Sequence, residues 1–175
     1  MNSEKKLIRG FTMIEILITL TVAAILAALA IPSFTEIIRN TRLTTASTLL
    51  TSDLNLGRGE AIKRNARILV CAKRAALDAC DTGTNWATGW IICYDIDANG
   101  ACDAATTGLP NPILIRPAIN STLTLTGTAS LLQFAGTGGQ AGANPPTFQF
   151  TLSGNWSGAA SKSVSVARSG GISGF

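Results

Sequence analysis

The 175-residue chain has no histidine, one tyrosine and few charges; Asp, Glu, Lys and Arg together make up 14% of it. Without histidine there is no imidazole to activate a serine or cysteine nucleophile, and none to ligate a metal. Scarce charge beside 46% apolar residues excludes an intrinsically disordered chain. A net charge of +4 is too mild to indicate a nucleic-acid partner by itself. These absences describe a small non-enzymatic module of one domain's length, and they imply no cofactor.

The apolar residues are concentrated at the start. Lys5, Lys6 and Arg9 precede Phe11–Ile31, in which Glu15 is the one charge, and the 20 residues from Ile16 to Thr35 are all uncharged. As a helix that length crosses a hydrocarbon core of about 30 Å, and the basic flank directs the C-terminal part outward. A cleaved secretory signal would end in a small-x-small pattern, which Ala27, Ala28 and Ala30 supply, but the helical pattern continues past them without a polar break. A plain single-span anchor leaves Glu15 unexplained, because a lone carboxylate in apolar surroundings is costly and needs a partner.

Gly10-Phe11-Thr12-Met13-Ile14-Glu15 resembles the processing site of type IV pilins and type II secretion pseudopilins. The resemblance implies cleavage by a prepilin peptidase between Gly10 and Phe11 and methylation of the new Phe11 amine. It also implies that the Glu15 carboxylate pairs with the amine of a neighbouring subunit. Buried charges are tolerable when paired, and removing one partner typically costs about 3–5 kcal/mol. Pro32 matches the family's helix-softening proline.

Past Pro32, Leu43, Ala46, Leu50, Leu54, Gly57 and Ala61 recur at spacings of three and four, giving one apolar stripe. Arg39, Arg42, Asp53, Arg58, Lys63 and Arg64 lie mostly off it. One helix from about Phe11 to Asn65 is expected. Gly57 and Gly59 each cost it about 1 kcal/mol relative to Ala, which close approach of a sheet or a local kink would explain. Seven short strands follow, at 67–73, 90–95, 113–116, 123–126, 131–134, 147–152 and 163–167, as in an antiparallel sheet or sandwich. Asn99-Gly100 is expected to form a tight hairpin turn and 136–146 a mobile surface loop. The expected organisation is a leader at 1–10, a transmembrane and filament-core helix at 11–35, its amphipathic continuation at 36–65, and a β head at 66–175. The fold class is α+β.

The succession Asn40–Leu43, Gly57–Asn65, Trp86–Asp95, Leu132–Gly136 and Val164–Gly171 is similar to the GspH/FimT group of minor pilins, most of all to its FimU type. That likeness implies a structural subunit that helps prime pilus assembly in a minor-pilin tip complex. Its implied partners are the prepilin peptidase, other minor pilins, the major pilin and the inner-membrane assembly platform, with lipid around it before assembly. The implied location is the inner membrane with a periplasmic head, then the cell surface. Two readings stay open: a DNA-binding subunit for natural transformation, and a pseudopilin of type II secretion.

The cysteines follow C-x8-C-x12-C-x8-C, unlike the C-x2-C pairs of zinc sites. In an oxidising periplasm the short-loop pairing Cys71–Cys80 and Cys93–Cys102 is favoured over the two alternatives. Asp95, Asp97, Asn99 and Asp103 copy the first half of a calcium loop, but Thr106 stands where an EF-hand has its bidentate Glu. Phe11–Arg74 carries 8 basic and 4 acidic residues, and Ala75–Phe175 carries 3 and 5. Arg64, Arg67, Lys73, Arg74 and Arg168 are therefore candidates for contact with DNA or an acidic subunit. DNA is disfavoured, since the Gly-Arg-x-Arg motif of the group's DNA-binding members is here Gly170-Gly171-Ile172-Ser173. Trp86, Trp90 and Trp156 read as core.

Overall fold

The computed structural model describes residues 10–76, 78–105, 108, 110–142 and 147–174, with the side chains of 29–33 excepted. The chain divides into two compact units, Met1–Arg39 and Asn40–Phe175. Helix α1 (Met13–Arg64) contributes to both.

The start of α1 is set by Thr12. Its carbonyl accepts the Glu15 and Ile16 amides at 3.1 and 3.2 Å, and its hydroxyl accepts the Glu15 amide at 3.3 Å. Thr12-x-x-Glu15 has the spacing of a capping box. The helix ends at Asn65, left-handed at φ 47°, where the Ala66 amide reaches back to the Ala61 carbonyl at 3.1 Å. This satisfies a terminal carbonyl, and Lys63 and Arg64 in the last turn complement the negative end of the helix.

Within the first unit Ile14, Leu17, Leu20, Ile25 and Leu26 are all exposed. Among the described residues no helix is long and apolar enough to cross a membrane. The expected span includes 29–33, whose side chains lie outside the described ones. So does the expected softening at Pro32, although that residue lies within α1. The expected leader also falls outside the description, apart from Gly10.

In the second unit the stripe behaves as its period requires. Leu43, Leu50, Leu54 and Ala61 are buried, and Gly57 faces the sheet so closely that a Cβ there would lie 3.3 Å from Val70 Cγ2. Gly59 has open space around it. Among the described residues eight strands follow: β1 (Ile68–Ala72), β2 (Trp90–Tyr94), β3 (Leu114–Ile115), β4 (Leu123–Gly127), β5 (Leu131–Phe134), β6 (Thr147–Gly154), β7 (Ser161–Ala167) and β8 (Ile172–Gly174). The first seven match the expected positions and β8 is additional. They form two antiparallel sheets, ordered β3-β2-β1-β5 and β4-β6-β7-β8. Inward residues of both sheets share one core with α1, including Val70, Trp90, Phe134, Phe148, Phe150 and Val164.

The two sheets differ in their outer faces. β6 alternates buried and exposed residues, with Thr147, Gln149 and Thr151 outward. β1 and β2 are buried at every position. Their second face, Leu69, Cys71, Ile91 and Cys93, packs with Cys80 and Leu131 into a small separate core. The bridges Cys71–Cys80 and Cys93–Cys102 lie over this face, with Cys80 Sγ 3.9 Å from Cys102 Sγ.

Two loop expectations change. The positive φ values near Asn99 fall at Ala98 (64°) and Gly100 (80°), so the segment is not a two-residue hairpin. Side chains replace the ladder: Asp97 accepts the Asn99 amide and Asn99 accepts the Ala101 amide. Part of the Gly136 loop is pinned, because Arg58 Nε donates to the Gly138 carbonyl at 3.0 Å and the Gln140 amide bonds the Arg168 carbonyl at 2.9 Å. Residues 143–146 of that loop lie outside the described ones.

Candidate functional site

The chemistry-bearing residues gather at three places. The first is the start of α1. Gly10 and Phe11 precede the Thr12 cap in non-helical backbone, and both are exposed. A Cβ at Gly10 would meet nothing within 4 Å. Glu15 follows three residues after the cap, exposed among exposed apolar side chains. The Gly10–Phe11 peptide bond is accessible, and Phe11 stands two residues ahead of a capped helix.

The second place is the surface of the head, where the basic candidates separate. Arg67 precedes β1, and Lys73 and Arg74 follow it. The five-residue strand between them puts Arg67 and Lys73 about 20 Å apart at roughly 3.3 Å per residue. Lys73 Nζ lies 3.6 Å from Asp78 Oδ1, and Arg74 is exposed. Arg64 sits with Glu60 at 3.1 Å and over the Tyr94 ring at 5.7 Å. Arg168 is exposed beside the loop that Arg58 pins. Lys63 also reaches Glu60, at 3.5 Å. Burial pushes the Glu60 carboxyl up, but the Arg64 hydrogen bond and the neighbouring cations outweigh it and hold it below the usual range. Burial, and then Glu60 beside it, hold the Tyr94 phenol above its ordinary value against the pull of Arg64.

The third place was not legible beforehand. Asp53, read as lying off the stripe, is buried at 3% exposure. It accepts Arg116 Nε at 2.6 Å, Arg116 Nη2 at 2.9 Å and the Trp90 indole N–H at 2.9 Å. The bond to Asp53 lifts the guanidinium further above its already high range, against the opposing effect of burial. This network joins α1 to β2 and to the end of β3, so its role is architectural. Trp86 and Trp90 are core, as expected, and Trp86 meets Phe150 edge-on with ring centroids 4.9 Å apart.

The calcium candidates do not converge on an ion. Asp95 is fully buried and accepts Gln133 Nε2 at 2.6 Å and the Gly100 amide at 3.3 Å. Asp97 caps its own turn, and Asp103 accepts the Ile96 amide at 2.7 Å. Their oxygens serve backbone and side-chain donors instead of a shared centre. Among the described residues the ligand atoms that do gather within 4.8 Å belong to Cys71, Cys80 and Cys102, whose sulfurs are already bridged.

The family model for the type II transport protein GspH matches residues 46–170, and that for the prokaryotic N-terminal methylation motif matches residues 5–31. No curated protein matches the chain. Two crystal structures of the type IV minor pilin FimU from Pseudomonas aeruginosa PAO1 share its fold, with TM-scores of 0.57 and 0.54. Each is 19% identical to it, and the matches cover 77% and 75% of this chain and 88% and 91% of theirs. With well over half its length matched, and with a capped pilin-type helix built onto two antiparallel sheets, the chain belongs to the GspH family.

Proposed function

We propose that the protein is a FimU-like minor pilin, a structural subunit that primes or caps a filament assembled from the inner membrane. In this reading residues 1–10 are a leader cut by prepilin peptidase, and Phe11 becomes the methylated N-terminus. Residues 11–35 lie in lipid before assembly and among other subunits' helices afterwards. Glu15 neutralises a neighbour's N-terminal amine. Major and minor pilins and the inner-membrane platform are its partners, and the assembled subunit reaches the cell surface. Its contribution is packing, with no chemistry of its own.

The observation that carries this is the junction at Gly10. The chain's own packing does not require a glycine there, since a Cβ would meet only open space. In this reading it is the peptidase that reads the position. The exposed Glu15, set in an apolar and uncharged surround, needs a partner for the same reason.

The test is the yield of sheared surface pili from a deletion strain complemented with the wild type, Glu15→Ala or Gly10→Val. Pili should return with the wild type alone, and Gly10→Val should accumulate as the uncut precursor. Unchanged pili in the deletion strain would sink the pilus reading. The family's description as a type II transport protein supports a second reading, a secretion pseudopilin. In that case deletion abolishes exoprotein release and leaves pili intact. DNA uptake has less support, because Arg67 and Lys73-Arg74 stand at opposite ends of β1 instead of on one phosphate-binding surface.

A further inference from the structure

Three of the four sheet edges are closed by the fold. Beyond β4, the Trp86 amide bonds the Leu125 carbonyl at 2.9 Å and the Gly127 amide bonds Thr84 at 3.0 Å. Beyond β5, the Ala141 amide bonds Gln133 at 2.8 Å and Gln140 bridges Phe134. β3 is two residues long and stands between Pro112 and Pro117. Covering segments, short strands and prolines are ordinary ways of protecting an edge.

β8 is short too, at three residues, but it has neither a covering segment among the described residues nor a proline. No strand lies beyond it in its sheet among the described residues, and Ile172-Ser173-Gly174 contains neither proline nor charge. The Ala167 amide bonds the Gly171 carbonyl at 2.8 Å, and hydrogen-bonded pairs alternate along an antiparallel ladder. Ser165 and Ser173 therefore form the next bonded pair, and the amide and carbonyl groups of Ile172 and Gly174 point to the outer side.

Beside this edge runs a groove of about 240 Å³, lined by Thr44, Ser47, Thr51 and Asn55 of α1 together with Lys162 and Gly174. Its surface is mostly the carbon of these small side chains, with hydroxyl and amide groups set among it, and Lys162 is the one charged side chain among the lining residues. The stretch from Pro117 to Phe175, which carries Lys162, contains no Asp or Glu. The chemical complement to that ammonium is a carboxylate, which no side chain of that stretch supplies.

We infer that β8 is a docking edge for an extended acidic segment of a neighbouring polypeptide, which adds a fifth strand to the β4-β6-β7-β8 sheet and sets a carboxylate against Lys162. Backbone pairing supplies the affinity, and the alternate side chains of the added strand enter the groove. Lys162 selects for the acid. The inference holds for a pilus or a secretion filament alike, and its readout is independent of filament yield.

The test places a benzophenone-bearing amino acid at Thr48 or at Ser173 of the full chain in its own cells. Photocrosslinked peptides are then sequenced. Both positions should capture the same short segment of one partner chain, with the captured residues alternating and an Asp or Glu among them. Ile172→Pro removes an outward amide, and Lys162→Glu reverses the charge; each should abolish the crosslink. Changing the captured acid to Lys should restore the crosslink to Lys162→Glu, and this holds as a test even where the proline variant fails to fold. Capture of a helical segment, of a segment without an acid, or of none overturns the inference. So does a crosslink that survives Lys162→Glu with both disulfides intact.

Discussion

Arg116 grips Asp53 with two nitrogens, at 2.6 and 2.9 Å, across 63 residues of sequence, and the Trp90 indole completes the carboxylate's shell. The two partners are unequally placed. The Asp53 side chain is 4% exposed and the Arg116 side chain 33%. Removing Arg116 strands a carboxylate in the core, whereas an orphaned Arg116 can still reach water. Arg116→Met should therefore cost about 2–3 kcal/mol, below the roughly 3–5 kcal/mol of a fully buried pair. Asp53→Asn, which keeps an acceptor for Trp90, should cost about half as much. Tryptophan emission during urea unfolding of the full protein in detergent micelles measures both. Equal losses would refute the asymmetry.

The disulfides offer a test of coupling. Each closes a loop with a sequence separation of 9, and in the chain-entropy picture such a loop contributes about 2–3 kcal/mol. The bridges lie side by side over the small core of Leu69, Ile91 and Leu131, so neither is independent of the other. Replacing either pair with alanine should cost about that amount. Replacing both should cost more than the sum, by about 0.5–1 kcal/mol, because the core loses its whole cover. Strict additivity in the four unfolding curves would show that each loop holds alone.

Gly57 and Gly59 have the same sequence signature and opposite surroundings. A Cβ at Gly59 meets nothing within 4 Å, so Gly59→Ala should stabilise the helix by about 0.5–1 kcal/mol. At Gly57 the new carbon would press Val70 Cγ2 at 3.3 Å and touch Ile92 Cγ2 at 3.5 Å. Gly57→Ala should gain nothing, and Gly57→Leu should separate the helix from β1 and β2. Thermal unfolding of the three variants ranks them directly.

How far the sequence carried depended on periodicity. The stripe from Leu43 to Ala61 repeats often enough that its buried face was plain, and β6 and β7 alternate as half-buried strands do. Asp53 departs from the pattern because its polarity suggests exposure while its partners let it be buried. The signal was present: Asp53 stands three residues after Leu50 and beside Leu54, within the stripe's own spacing, and Arg116 is the one cation between Ala75 and Ser161. The unbroken runs Ile68-Leu69-Val70-Cys71-Ala72 and Ile91-Ile92-Cys93 likewise marked strands covered on both faces. β8, three residues that include a glycine, is too short for any period to show. The acidic loop misled for a different reason, since Asp and Asn at alternate positions suit both an ion and their own backbone amides.

Glu60 gives the head a pH dependence of known sign. Its carboxyl is held below the usual range in the fold, so the folded state binds its proton less readily than the unfolded chain. The contribution to stability is fully present above the ordinary carboxylate range. It is lost as pH falls through that range and past the lowered folded value. Lys63 and Arg64 are well exposed, and screening by water keeps the effect under about 1 kcal/mol. Glu60→Gln should therefore cost little stability at neutral pH and shallow the loss as pH falls through the ordinary carboxylate range and below it. It also removes the anion beside Tyr94, so the phenol should ionise at lower pH in a spectrophotometric titration. An unchanged tyrosine titration would mean that burial alone raises Tyr94, with Glu60 playing no part.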